Sequence, residues 1–266
     1  MHERYEKVLS ATLNSGVPFL IGGGYALEQY TGIRGRVMKD LDLFVRRQHV
    51  ASLLRHLEAC GFETELTFPH WLAKIHVASD CIDVIFSSGN GVAEVDDRWF
   101  AHSVPSAVLG CRVHLSPPEE MIWSKAFVME RERYDGADIA HLIRACHARL
   151  DWQRLLDRFG PDWRVLLSHL VLFGYIYPSE RGAIPRWVLL RLTESLTAEA
   201  SEPAPQERLC RGTLLSRSQY LADIHQWGYL DARVRPYGAM TPAEIACWTL
   251  PIIDDEDIDH ADRGGR

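Results

Sequence analysis

The 266-residue chain has no excess of positive charge: 29 Lys and Arg stand against 36 Asp and Glu, a formal net charge of −7, and the pI is near 5.9. Broad, non-specific binding of a long nucleic acid draws on a basic surface, so this balance argues against such a partner. It leaves room for a nucleotide or a short RNA end held through a metal. The six cysteines, Cys60, Cys81, Cys111, Cys146, Cys210 and Cys247, show no C-x-x-C spacing, so neither a zinc ribbon nor a disulfide framework is signalled. They are expected to be reduced, mostly buried thiols of a cytoplasmic protein. The histidines lack an H-x-x-x-H pattern, and His141 and His147 diverge on one helix, which argues against a transition-metal site. No apolar run is long enough for a membrane span; the longest, 165–177, carries Ser168 and His169 and reads as a buried helix. The charged start, 1–7, lacks the apolar core of a signal peptide. There is no internal repeat. Gly22-Gly23-Gly24 is followed by Tyr25, Ala26 and Leu27, so the G-x-G-x-x-G pattern of a Rossmann dinucleotide site fails.

What is present is concentrated in 19–45. Phe19-Leu20-Ile21 reads as a short strand, broken by the three glycines, followed by a helix from Tyr25 and a returning run Asp40-Leu41-Asp42-Leu43-Phe44-Val45. Side chains alternate in a strand, so Asp40 and Asp42 share one face and Leu41, Leu43 and Val45 the other. Two neighbouring carboxylates repel and are costly to bury unpaired, which calls for water or a cation. Hard divalent ions such as magnesium suit that donor set. Glycines let backbone N–H groups approach a phosphate at the start of the following helix.

Strand, glycine turn, helix and returning Asp-x-Asp together resemble the signature of the polymerase-β-like nucleotidyltransferase superfamily. The resemblance implies that Asp40 and Asp42 hold one or two magnesium ions and that Gly22, Gly23 and Gly24 hold the phosphates of an NTP. It also implies a third carboxylate on a strand beside the Asp-x-Asp. Residues 73–77 and 81–86 alternate as two strands joined by a turn at Ser79-Asp80; Ile82, Val84 and Phe86 take one face and leave Asp83 on the other. Asp83 is the candidate third metal ligand and catalytic residue, with Asp80 a weaker rival.

Ser116, Pro117 and Glu119 read as a capping box opening a helix over 117–133, followed by a second helix over 136–148. This downstream pattern looks like the bacterial branch that includes AbiEii-like toxins. The resemblance implies that Lys125 contacts nucleotide phosphates, that Arg133 is a further phosphate ligand, and that Asp138 supports the site. It also brings a possible antitoxin-like protein partner. An Arg131–Asp135 pair on one helix surface is the purely structural reading of the same residues.

Beyond residue 150 the resemblance fades. Helices are expected over 152–159, 162–177, 185–198 and 216–227, with a loop over 199–206, and Thr241 to Glu244 is a second capping box. The organisation expected is a nucleotidyltransferase domain over 1–149, a helical C-terminal domain over 150–253 and an acidic tail over 254–266. The fold class is α+β: a nucleotidyltransferase-fold mixed β-sheet with flanking helices, then a mainly α-helical domain. The function implied is magnesium-dependent transfer of a nucleoside monophosphate from an NTP, such as ATP, to a hydroxyl acceptor, with release of pyrophosphate. The acceptor is a small molecule, a protein side chain or an RNA end. The alternative is a catalytically inactive nucleotide-binding or interaction module of the same fold.

Overall fold

Leu41, Leu43 and Val45 are fully buried while Asp42 between them is only partly so, as the alternation of this strand requires. The computed structural model describes residues 2–34, 41–78, 80–235 and 237–250. Asp40 and the expected tail, 254–266, lie outside them.

The chain runs α1 (His2–Asn14), β1 (Phe19–Ile21), α2 (Gly23–Thr31), β2 (Leu41–Val45), α3 (Arg47–Ala59), β3 (Glu63–Phe68), β4 (Leu72–Val77), β5 (Asp80–Ile85), α4 (Asp97–Ala101), β6 (Val104–Val108) and β7 (Cys111–Leu115). Then follow α5 (Pro118–Ala126), α6 (Gly136–Cys146), α7 (Trp152–Phe159), α8 (Trp163–Ile176), α9 (Arg186–Ala200), α10 (Leu221–His225) and α11 (Pro242–Thr249). The seven sheet strands lie in the order β3-β4-β5-β2-β1-β7-β6. β2 is parallel to β5 and β1 to β7, whereas β1 and β2 are antiparallel. The sheet is therefore mixed, with the glycine turn and the Asp-x-Asp strand at its centre. Helix α2 packs on β2 and α6, and α8 packs against α6, α7 and α9.

Several local expectations are corrected. Helix α5 ends at Ala126 rather than 133. The charged run Glu130 to Arg133 offers no apolar face, and its backbone closes a turn in which Glu130 N–H donates to the Arg133 carbonyl, while Met129 N–H donates to Leu215. The Ser116 cap does not form: Ser116 N–H donates to Ile21, and Glu119 instead accepts from Asp151 N–H and pairs with Arg154. The helix expected over 216–227 shrinks to α10, because Glu130 takes the Ser216 hydroxyl and the Arg217 N–H. The Thr241–Glu244 capping box does form. Helix α8 is amphipathic rather than buried all round: Leu166, Leu170 and Phe173 are in the core, and Tyr175 is 83% exposed. Of the cysteines, Cys146 and Cys210 are buried and Cys60 is exposed. No helix among the described residues is long and apolar enough to cross a membrane.

Candidate active site

Strand β1 ends at Ile21, and the chain turns through Gly22, whose N–H donates to the Asp42 carbonyl at 3.0 Å. Helix α2 begins at Gly23, two residues earlier than the sequence suggests, with Gly23 at φ +52°. Neither residue tolerates a side chain. A Cβ on Gly22 would lie 2.1 Å from the Phe44 ring, and one on Gly23 would lie 1.5 Å from Asp42 Oδ2. The glycines therefore let the helix start press directly against the Asp42 carboxylate.

Asp42 and Asp83 are register partners on the parallel strands β2 and β5, and Lys74 on β4 is in turn the partner of Asp83. Partners in adjacent strands share a face, so Lys74, Asp83 and Asp42 form a row across three strands. Two residues along, Leu72, Ile85 and Phe44 form a parallel apolar row. Val77 pairs with Asp80, so the hairpin turns one residue earlier than expected. Asp80 becomes a strand residue of opposite parity to Asp83, which removes it as the rival third carboxylate. Among the described residues no group of three or more His, Cys, Asp or Glu side chains gathers around one point.

The row opens into a cleft of about 480 Å³ whose walls include Gly23, Asp42, Lys74, Lys125, Arg133 and Asp135. Lys125 projects from α5 and donates to Asp135 Oδ2 and Asp138 Oδ2, each at 2.9 Å. Burial alone would lower its pKa, but the two carboxylates outweigh that and hold it above the usual lysine value. Asp135 is pushed up by burial and pulled down further by Lys125 and Arg133, ending below the usual carboxylate value. Arg133 spans Asp135 with Nε and Nη2 at 3.0 and 3.1 Å. The Asp135 hydrogen bond holds its pKa up, and the charge of Asp42 adds to the effect, which puts Arg133 within electrostatic reach of that carboxylate.

The predicted Asp42, Asp83, Gly22, Gly23, Lys125, Arg133 and Asp138 thus surround or adjoin one cleft; Gly24 lies within the first turn of α2. Lys125 is engaged on the protein's own side by Asp135 and Asp138, with Arg133 held on Asp135 in the cleft that Asp42 also lines. The sequence reading missed Lys74, whose partnership with Asp83 depends on the turn position. It gave Asp135 to Arg131, whereas helix α5 stops short and Arg133 takes it. It also missed the aromatic end of the cleft, where Phe68 and Trp71 meet Trp248 from α11; that contact joins residues distant in the chain and leaves no local signal.

A family model described as uncharacterised nucleotidyltransferase matches residues 1–161. No curated relative matches the chain. Among solved structures, the chain is similar to the antibiotic-resistance factor ANT(2'')-Ia in solution, with 19% identity and a TM-score of 0.44, over 63% of this chain and 95% of that one. It is also similar to the lincosamide antibiotic adenylyltransferase LnuA bound to lincomycin, at 15% identity and a TM-score of 0.38, over 53% and 96%. A third is an antigenic nucleotidyltransferase-like protein from Paracoccidioides brasiliensis, at 16% identity and a TM-score of 0.34, over 61% and 90%.

Proposed function

Because the chain belongs to the family of uncharacterised nucleotidyltransferases, we propose that it moves a nucleoside monophosphate from a nucleoside triphosphate to a hydroxyl group and releases pyrophosphate. The single observation that carries the site assignment is the contact of Gly23 with Asp42, beside the Asp42–Asp83 register pair. It supports a site in which a helix N-terminus, suited to phosphate, adjoins two hard oxygen ligands.

Two carboxylates on neighbouring strands fit a magnesium ion, which binds through few protein oxygens and completes its shell with water and phosphate. Asp42 and Asp83 would hold it, joined by Asp40. When bound, such an ion neutralises charge growing on the phosphate oxygens. The rest falls to the chain's own groups. The backbone N–H groups of Gly23 and Gly24 orient the triphosphate, that of Gly22 being taken by the Asp42 carbonyl, and Arg133, steered by Asp135, adds positive charge on the Asp42 side of the cleft. Lys125, fixed by Asp135 and Asp138, supports that arrangement. The acceptor oxygen forms a bond to the α-phosphorus as the bond to pyrophosphate breaks, and the hydroxyl proton passes to Asp83. Positioning and electrostatics carry such a reaction.

Calorimetric titration of the four NTPs with and without magnesium, into the native chain and an Asp42→Asn variant, tests this reading. Magnesium-dependent binding lost in the variant supports it. No binding under any condition overturns it in favour of an inactive module of the same fold.

A further inference from the structure

The end of the cleft away from the glycine turn is built from side chains that no step above uses. Phe68 and Trp71 stack with ring centroids 5.9 Å apart and 15° between planes. Trp248 meets them edge-on at 5.1 and 5.2 Å, and the Arg217 guanidinium lies 5.1 Å from the Trp248 ring. All four line the cleft, and each of the three rings is only half-buried. In the same wall Trp71 Nε1 and Thr67 Oγ1 are shielded from solvent yet have no hydrogen-bond partner, as does Nδ1 of the adjoining His70. His70 Nε2 faces the Gly89 carbonyl at 3.0 Å, so it carries the hydrogen and Nδ1 keeps a lone pair. Folded proteins leave few buried polar groups unmatched. Three lie within residues 67–71, two of them on residues that line the cleft, and the half-covered rings beside them present the surface open to a ligand.

The strand order decides which ligand. In transfer at phosphorus the attacking and leaving oxygens lie roughly in line. With the leaving phosphates at the turn after β1 and the carboxylates on β2 and β5, the attacking hydroxyl enters from the side of β4 and β3, where the aromatic wall stands. Two to three strand spacings, roughly 10–15 Å, separate that wall from β2. Charge narrows the choice further. Glu130 is engaged by Ser216 and Arg217 N–H, Asp135 by Lys125 and Arg133, and Arg217 and Lys74 add positive charge to the walls. Apart from Glu132, which is exposed in the lining, and Asp42, assigned above to the metal, a polycation meets carboxylates already paired.

We infer that this wall is the acceptor subsite, and that it takes the planar, uncharged aromatic portion of a small molecule whose reacting hydroxyl lies two to three strand spacings away. The inference rests on the transfer reading above and adds the chemical class of the acceptor.

The test uses 6-(2-naphthyloxy)hexan-1-ol, followed by its own fluorescence anisotropy, and the polyamino sugar kanamycin as a competitor, with the full chain and variants Trp71→Leu, Trp248→Leu, Trp71→Phe and Thr67→Val. Magnesium–ATP affinity is measured on every protein by calorimetry, and folding by thermal melts. The naphthyl probe is expected to bind, to resist kanamycin, and to lose about tenfold in affinity in each Leu variant. Trp71→Phe retains most of the binding, and ATP affinity changes less than twofold throughout. Failure of the native chain to bind the probe, displacement of the probe by kanamycin, or unchanged probe affinity in folded Leu variants overturns the inference. So does an equal loss of ATP affinity, which would make the wall a nucleobase site. If the Leu variants unfold, Thr67→Val decides: a weakened probe supports the subsite, and an unchanged one overturns it. Loss of ATP binding by the native chain would sink the transfer reading itself, whatever the probe does.

Discussion

Gly23 packs against Asp42 so closely that a single added methyl would fall 1.5 Å from the carboxylate oxygen Oδ2. At φ +52° the same position also strains any residue with a Cβ. Gly23→Ala is therefore expected to displace the Asp42 side chain, to cost about 1–3 kcal/mol of stability, and to abolish nucleotide binding. Chemical denaturation and calorimetry check both; a variant that binds nucleotide normally would show that the glycine turn does not shape the site.

Asp42→Asn keeps the shape of the side chain and removes its charge. Turnover of NTP is expected to fall at least about 100-fold, in line with the loss of several kcal/mol of charge stabilisation, while the melting temperature holds or rises because repulsion with Asp83 is relieved. A pyrophosphate-release assay reads the rate, and a near-native rate would remove Asp42 from the reaction.

Lys125→Met leaves Asp135 and Asp138 facing each other with one cation fewer in a largely buried setting. Breaking a buried charge cluster from one side costs about 3–5 kcal/mol. The expected signature is a loss of stability partly restored in Lys125→Met/Asp138→Asn, because the second change removes the stranded charge. A denaturant double-mutant cycle measures this, and additive effects would mean that the pair is not coupled in solution.

Two buried histidines set the mild-acid behaviour. Burial lowers the pKa of both His70 and His169 from the usual 6.5. As pH falls below 6.5 the unfolded chain takes up these protons before the folded one does, so stability declines in that direction. Asp135, held below 3.8, contributes stability that is present above that value and is lost only as pH falls through its folded pKa. Melts at pH 5 to 8 should decline below 6.5, and less steeply in His169→Gln; an identical slope in that variant would rule His169 out as a cause.

The sheet was legible because its strands alternate: Leu41 to Val45 and Ile82 to Phe86 declare a buried face, and Gly22 and Gly23 with Asp42 point to the cleft proposed as the site. The ends of elements were less so. Helix α5 looked longer because Glu130 to Arg133 has good helix formers, and what stops it is the pairing of Met129 with Leu215, far along the chain. Placing the hairpin turn one residue late hid Lys74 behind Asp83. Trp248 reaches Trp71 only through the tertiary path of the C-terminal segment, so no local pattern announces the aromatic wall.

Glu119 and Glu120, both buried near the start of α5, face Arg154 and Arg158 of α7 across the line expected between domains at residue 150. Arg154 Nη1 lies 2.7 and 2.6 Å from the two Glu120 oxygens, and Arg158 Nε lies 3.0 Å from one of them. The family-matched stretch closes at residue 161, just after α7. The acids and their counter-ions therefore fall within one matched stretch, and a graft that keeps them together has its crossover after Phe159. A graft made upstream of α7 would strand two interior carboxylates without the guanidinium groups that neutralise them.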